Sequence, residues 1–432
     1  MNSTRREFLR NTGVAAAAGM AAALAPGRVL GANEKVRLGV IGVGNRGGQL
    51  IDAVGKHQDM EIAALCDVYQ PFLDQWREKL GGTPRTYRDF REMLDQPDID
   101  AVLIATPDHW HALQTVMACD AGKDVYIEKP LSLTIHEGRR MVEAARRNNR
   151  VAQVGVQRRS GRQYAELAEK LQNGLIGKIT FARSYRITNM WPNGLGRGVD
   201  GPPPADLDWD LWLGPSPERP YRDTIAPYKF RWWKAYSSQL ANWGVHFIDV
   251  IRWVLNDNAP LLTTALGGKF AVDDDRDIPD TMEVAWQMPS GALMGFGQYE
   301  ASGVDAMRRG YVEFRGTNGA LYVDDRGYEI VPERGGQFQD TAPRMEPVTE
   351  KSAEGDLTTA HLRNFLDCVK SRALPNADIE TGHRSTTFSH LGNIALATRS
   401  VVEWDAAAER AVNNDAANAM LHYEYRKPWT LG

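Results

Sequence analysis

Over residues 35–154, short β-branched runs alternate with segments whose apolar positions recur at helical spacing. Residues 36–41, 61–65, 101–104, 125–127 and 151–154 read as strands, and helices fit between them around 71–80, 109–119 and 135–148. Strand–helix alternation of this kind is the pattern of a parallel, doubly wound sheet. Past Gln157 the pattern changes. A helix over 163–172 leads to an alternating segment, 178–183, and then to a long Pro/Gly-rich loop over 191–220 that contains Gly201-Pro202-Pro203-Pro204. Further strands are expected near 282–288, 293–299, 311–315 and 320–323, with turns at Pro289-Ser290-Gly291 and Thr317-Asn318-Gly319. Strands that follow strands imply antiparallel pairing. Two closing helices, over about 356–371 and 386–401, can pack on either domain. The expectation is therefore an α/β Rossmann domain over 34–157, followed by an α+β domain over 158–432 with a mainly antiparallel open sheet.

The first residues break this scheme. Thr4-Arg5-Arg6-Glu7-Phe8-Leu9-Arg10 precedes an Ala/Gly stretch over 13–26 and resembles a twin-arginine export signal. The stretch is too short and too rich in alanine for a stable membrane span. Cleavage near residues 31–33 would make 1–33 a signal peptide and the mature protein periplasmic. With 432 residues, 43% of them hydrophobic, the chain is long enough for two cores. Its 55 acidic and 51 basic residues leave no excess that would point to nucleic acid, and a small-molecule partner is favoured. Cys66, Cys119 and Cys368 are far apart and read as buried free thiols.

Gly42-Val43-Gly44-Asn45-Arg46-Gly47 directly follows the first strand and opens a helix, the context a dinucleotide fingerprint requires. Gly42 allows the tight turn, Gly44 lets a pyrophosphate approach the backbone, and Gly47 permits close helix–strand packing. Asp67 ends the second strand about 20 residues later, where a carboxylate can bind the adenosine ribose hydroxyls. That carboxylate favours NAD, because it repels a 2′-phosphate. Arg46 keeps NADP as the minority alternative.

Ala105-Thr106-Pro107-Asp108-His109-Trp110-His111 and Val125-Tyr126-Ile127-Glu128-Lys129-Pro130 resemble the paired motifs of the Gfo/Idh/MocA oxidoreductases. Asn242-Trp243-Gly244-Val245-His246-Phe247-Ile248-Asp249 resembles that family's substrate-side helix. The resemblance implies that Thr106, Pro107 and His109 border the nicotinamide, and that Gln157 and Arg158 lie on the loop entering the second domain. It implies Lys129 as the first catalytic candidate and His246 as the second. Physically, Glu128-Lys129-Pro130 falls at the C-terminal edge of the sheet, where such folds bind ligands. There the lysine can stabilise charge developing on a reacting oxygen, and Pro130 can fix the peptide geometry that aims it. On its helix His246 shares a face with Asn242 and Asp249. Many family members carry Asp where this chain has Asn242, and a neutral amide supports an imidazolium far less than a carboxylate does. His246 is then a substrate hydrogen-bonder, and Lys129 is the main acid/base. His109 and His111 point apart at i, i+2 spacing with no carboxylate cluster beside them, so no metal site is expected. Trp233, within Arg231-Trp232-Trp233-Lys234, can offer a stacking wall to a sugar, with Arg158 and Asp249 as further substrate contacts.

The expected function is NAD(P)-dependent oxidation or reduction of a secondary hydroxyl or carbonyl on a sugar, cyclitol or glycoside, by a homo-oligomer that holds its cofactor tightly. One rival is an NAD-dependent glycoside hydrolase or lyase working by transient oxidation and elimination, although the His-Gly-Leu-Gly-Pro-like motif of one such group is missing. The other is a catalytically silent sugar-binding protein, against which Lys129 and Asp67 both argue.

Overall fold

The computed structural model describes residues 34–305 and 310–431; the Arg5-Arg6 motif and the expected signal over 1–33 lie outside the described residues. Strands β1 (Val36–Ile41), β2 (Met60–Cys66), β3 (Arg85–Tyr87), β4 (Ala101–Ile104), β5 (Asp124–Ile127) and β6 (Ala152–Val154) form a parallel sheet in the order β3-β2-β1-β4-β5-β6. The order reverses between β1 and β4, which opens a crevice at the carboxyl ends of these two strands. The helix Ile135–Arg147 begins where Thr134 and Glu137 close a capping box, each satisfying the other's backbone N–H.

The second domain is a mixed sheet built from β7 (Ile179–Asn189), β8 (Leu262–Gly268), β9 (Thr281–Gln287), β10 (Leu293–Tyr299), β11 (Ala301–Ser302), β12 (Val312–Gly316), β13 (Gly319–Asp324), β14 (Gly327–Pro332), β15 (Val348–Lys351), β16 (Val402–Asp405) and β17 (Arg410–Ala411). Most pairs are antiparallel, but β7 and β10 run parallel, from Phe181 opposite Leu293 to Ile187 opposite Tyr299. Alternation along a strand shows which face is buried and says nothing about the direction of its neighbour, so this pair is invisible in the sequence.

The closing helices part company. Leu357–Ser371 buries Leu362, Phe365 and Leu366 with Val36 and Leu38 of β1, so it belongs to the Rossmann core although it follows the second sheet in sequence. Each such side chain contributes roughly 1.5–3 kcal/mol by leaving water. Ile379–Thr398 starts ahead of the expected residue 386, because the Asp378 side chain accepts the Glu380 N–H at 3.1 Å and caps an earlier first turn. Its Phe388 and Leu391 pack with Trp286 beneath the second sheet. The three cysteines are buried and unpaired, and no helix among the described residues is long and apolar enough to cross a membrane.

Within the 191–236 loop, Leu207, Trp212, Phe230, Trp233 and Tyr236 form a small aromatic core that packs against Val68 and Tyr69, just past β2. The loop thus carries its own apolar cluster and sits on the Rossmann domain rather than in solvent.

Candidate active site

The crevice between the domains is a cavity of about 460 Å³ that runs from the Gly42 turn to Lys129 and Asn242. At its first end Gly42 has φ +81°, and a Cβ there would lie 2.9 Å from the Ala105 carbonyl carbon. A Cβ on Gly47 would meet the Gly42 carbonyl oxygen at 1.8 Å, so the turn and the helix it opens can touch only through glycine. Gly44, Asn45 and Arg46 line the cavity, whereas Gly47 lies behind them. Asp67 accepts the Val43 N–H at 2.8 Å and the Tyr69 N–H at 2.9 Å, which aims its carboxylate along the same cavity. Burial pushes the Asp67 carboxyl up to about 6, against the pull of those N–H groups.

The 191–236 loop closes over this end. Gln70 donates its backbone N–H to the Asp206 carbonyl and Asp208 donates to the Val68 carbonyl, each at 3.0 Å. Arg88 reaches both Val68 and Asp206 from the other side, at 2.8 and 3.3 Å. Leu207, Tyr228 and Phe230 of the loop line the same cavity as Asp67.

The other end gathers the chemistry. Lys129 follows β5, and its peptide bond to Pro130 is cis. Its Nζ donates to the Asn242 carbonyl at 3.0 Å and approaches Asn242 Oδ1 at 3.5 Å. Burial lowers the Lys129 ammonium to about 8 although Glu128 opposes the shift, and the charge of Arg231 pushes it further down. Asn242 stands on a π-helical turn, Leu240–Gly244, that runs into the helix Val245–Leu255; such turns often mark functional positions. His246 follows one turn later. Its imidazole is held well below its ordinary value by burial and by the charges of Lys129, Arg158 and Arg46, so it is neutral at physiological pH. Its Nδ1 is buried and has no hydrogen-bond partner among the described residues.

Two motif matches now decide the family. Residues 36–156 fit the model of an oxidoreductase family with an NAD-binding Rossmann fold, and residues 178–431 fit that family's C-terminal alpha/beta domain. The chain belongs to the Gfo/Idh/MocA oxidoreductases. It is 26% identical over 370 residues to a myo-inositol 2-dehydrogenase of Thermotoga maritima, a match that covers 84% of this chain and 93% of that one. It is 29% identical over 165 residues to an alpha-N-acetylgalactosaminidase of Shewanella oneidensis, but that match spans only 36% of either chain. A levoglucosan dehydrogenase solved with NADH and levoglucosan shares the fold, with TM-score 0.66 and 18% identity over 86% of this chain and 99% of that one.

In this Gfo/Idh/MocA protein the residues fit NAD. The backbone of the turn from Gly42 to Arg46 forms the cavity wall where a pyrophosphate would lie, and Asp67 stands at the same end with a carboxylate of the type that accepts from ribose hydroxyls. Arg46 is bound to Glu128 at 2.7 Å, at the far side of the turn from Asp67, so its guanidinium is committed to a carboxylate and is not free for a 2′-phosphate. Thr106 and Pro107 border the cavity, Thr106 Oγ1 donating to Gln114 at 2.7 Å. Gln157 is buried beneath Glu128, 3.4 Å from Oε1.

Several expected contacts lie elsewhere. His109 is fully buried and turned into the aromatic cluster of the loop, with Nε2 2.9 Å from the Trp212 carbonyl; burial lowers it to about 3. It buttresses the loop and is not among the residues that line the cavity. Trp233 is a core residue whose Nε1 donates to the Thr224 carbonyl at 2.6 Å, so it offers no stacking face. Asp249 is paired with Arg159 at 2.9 and 3.0 Å and accepts from Ser385, which makes it a structural anion under the helix. Arg158 is bound by Asp325 at 2.8 and 2.9 Å, and it reaches the site only through its field on His246.

Other residues matter that were not expected. His111 ties the two motif loops together, with Nδ1 2.7 Å from the Pro130 carbonyl and Nε2 2.9 Å from that of Thr106. Asp108, buried and held by the Ser237 hydroxyl at 2.5 Å, faces the same cavity as Lys129. Its place inside the Ala105–His111 motif was the available signal.

Proposed function

We propose that this oxidoreductase moves hydride between NAD(H) and a secondary hydroxyl or carbonyl carbon of a sugar, cyclitol or glycoside, with Lys129 as the acid/base and with its cofactor retained between turnovers. Bound NAD supplies the hydride acceptor and returns hydride in the reverse direction. The rest falls to the chain. In the oxidising direction Lys129, lowered to about 8 mainly by burial, offers a neutral amine in quantity near physiological pH and takes the substrate hydroxyl proton on Nζ. The Asn242 carbonyl fixes that nitrogen at 3.0 Å, so the amine is placed before substrate arrives. Neutral His246 gives a second hydrogen bond to the substrate. With Asn242 as its neighbour it has no carboxylate on that side to support a charged ring.

The observation that carries the reading is a half-buried lysine, held at the C-terminal edge of an NAD-binding sheet by the second domain. The related inositol dehydrogenase supports a hydroxylated ring as substrate. A panel of sugars, cyclitols and aryl glycosides, followed by nicotinamide absorbance in a single turnover and by product mass, tests it. A ketone product from at least one ring supports the reading, and no change in mass with any of them contradicts it.

The loop contacts at Val68, Gln70 and Arg88 support cofactor retention, since dissociation then requires breaking a strap of hydrogen bonds and an aromatic cluster. Retention in turn fits export by the twin-arginine route, proposed from Arg5-Arg6, because an enzyme outside the cytoplasm meets almost no free dinucleotide. A trapped cofactor must be restored in place, by a second substrate or by a redox-neutral reaction. The partial match to the alpha-N-acetylgalactosaminidase favours keeping the second possibility. Release of free sugar from an aryl glycoside without net change in nicotinamide absorbance would select it.

A further inference from the structure

The reaction end of the cavity carries more positive charge than the chain neutralises. Arg231 lines it, close enough to Lys129 and to Asp108 for its charge to act on both. Among the described residues its guanidinium donates a hydrogen bond only to a backbone carbonyl, that of Tyr228 at 3.0 Å, and the group otherwise lies over the rings of Tyr228 and Phe230 at 4.3 and 4.6 Å. Arg186, on β7, lies 4.0 Å over the Trp243 ring, next to Asn242, and its Nε is buried without a hydrogen-bond partner. Glu300, the carboxylate whose charge bears on Arg186, is already bound by Arg276 at 2.5 Å and by Trp232 at 3.1 Å. Neither arginine makes an ion pair among the described residues. The other arginines of this region are matched: Arg46 by Glu128, Arg158 by Asp325, Arg159 by Asp249. Of the carboxylates beside Lys129, Glu128 is already bound by Arg46, and Asp108, which also bears on Arg231, has its carboxyl raised above the ordinary range by burial, which weakens it as a counter-ion. Cations left without partners in a half-buried site cost free energy unless a ligand supplies the anion.

We propose that the substrate is an acidic sugar, whose carboxylate or ester-linked phosphate binds Arg231 at the Tyr228 side of the cavity, with Arg186 adding to the attracting field. The proposal rests on the oxidoreductase reading and names the substrate class within it. A guanidinium that stacks on aromatic rings keeps its edge free for two parallel hydrogen bonds to an oxyanion, the geometry in which arginine discriminates best.

The test uses the purified full-length protein with its own cofactor. Calorimetric affinity and turnover are measured for D-glucuronate, D-galacturonate and D-glucose 6-phosphate beside D-glucose and D-galactose. At least one acidic sugar should bind roughly tenfold or more tightly than its neutral parent, since a hydrogen bond to a charged group is worth about one or two factors of ten. Added salt should reduce the preference. The uronates and the phosphate ester separate carboxylate from phosphate. In calorimetry Arg231→Gln should abolish the difference in affinity between an acidic sugar and its neutral parent, and Arg231→Lys should keep part of it; acid and parent are compared within each variant, because the Arg231 charge also bears on Lys129, and both variants are checked for an unchanged melting transition. Neutral sugars that bind as well as the acids, or a preference that survives in folded Arg231→Gln, would overturn the proposal. An acid preference in binding without oxidation of any sugar would leave the anion site standing and sink the oxidoreductase reading, whereas turnover of neutral sugars alone would do the reverse.

Discussion

At the adenosine end of the cavity the ligand-facing groups are a glycine turn, one carboxylate and a strap of backbone hydrogen bonds; at the reaction end they are long side chains contributed by both domains. The glycine turn and the carboxylate are set by short-range sequence, whereas the strap is not. Gly42 and Gly47 act through turn geometry, and Asp67 through the N–H groups of Tyr69, 2 residues on, and of Val43, 24 positions back in the turn. The reaction end depends on distant contacts, Lys129 with Asn242 across 113 positions and Arg159 with Asp249 across 90. Holding and reacting are therefore separable, and a change at one end should leave the other nearly intact.

Lys129→Met gives the largest expected effect. It removes the proton acceptor, and turnover should fall at least about 100-fold, the usual scale for a general acid or base, while the dinucleotide content of the purified protein stays the same. Single-turnover absorbance and cofactor content, taken from one preparation, check both halves. Near-normal turnover would mean that the reaction end has been misplaced. Asp67→Ala acts at the opposite end: dinucleotide should be lost roughly tenfold or more faster, because a hydrogen bond to a charged acceptor disappears, with the chemical step in the refilled enzyme unchanged.

The pH profile separates the ends again. In the oxidising direction the amine of Lys129 must be neutral, so the rate should rise with pH through a midpoint near 8; in the reducing direction the ammonium is needed, and the rate should fall through the same midpoint. Flat profiles from pH 6 to 10 in both directions would remove Lys129 from the proton transfer. The smallest effect is expected for His246→Ala, a rise of a few-fold in KM with little change in kcat, since a neutral ring that only hydrogen-bonds the substrate contributes uniform binding. A loss in kcat as large as that of Lys129→Met would make His246 the base.

The same division explains what could be read from the chain alone. The order of strands and helices in the first domain, the glycine turn, Asp67 and the Glu128-Lys129-Pro130 edge were all legible, because period and turn chemistry act over a few residues. The helix carrying His246 and Asp249 was legible too, but Asn242 falls on the π-helical turn ahead of it, and the use of these side chains was not legible. Arg159 claims Asp249 from another element, just as the loop's own aromatic core claims His109 and Trp233. The strap at Asp206–Asp208 left only a Pro/Gly-rich signature, and its partners, Val68 and Gln70, lie more than 130 positions away. β3, three residues long and largely exposed, shows no period.

The central claim is that the cavity holds its cofactor as a fixed part of the protein. The direct measurement is to purify the protein without added dinucleotide, denature it, and quantify what is released. Near-stoichiometric NAD(H), together with turnover that external NAD does not change, is the result expected from a strapped adenosine end. An empty protein that works only when NAD is supplied would contradict it.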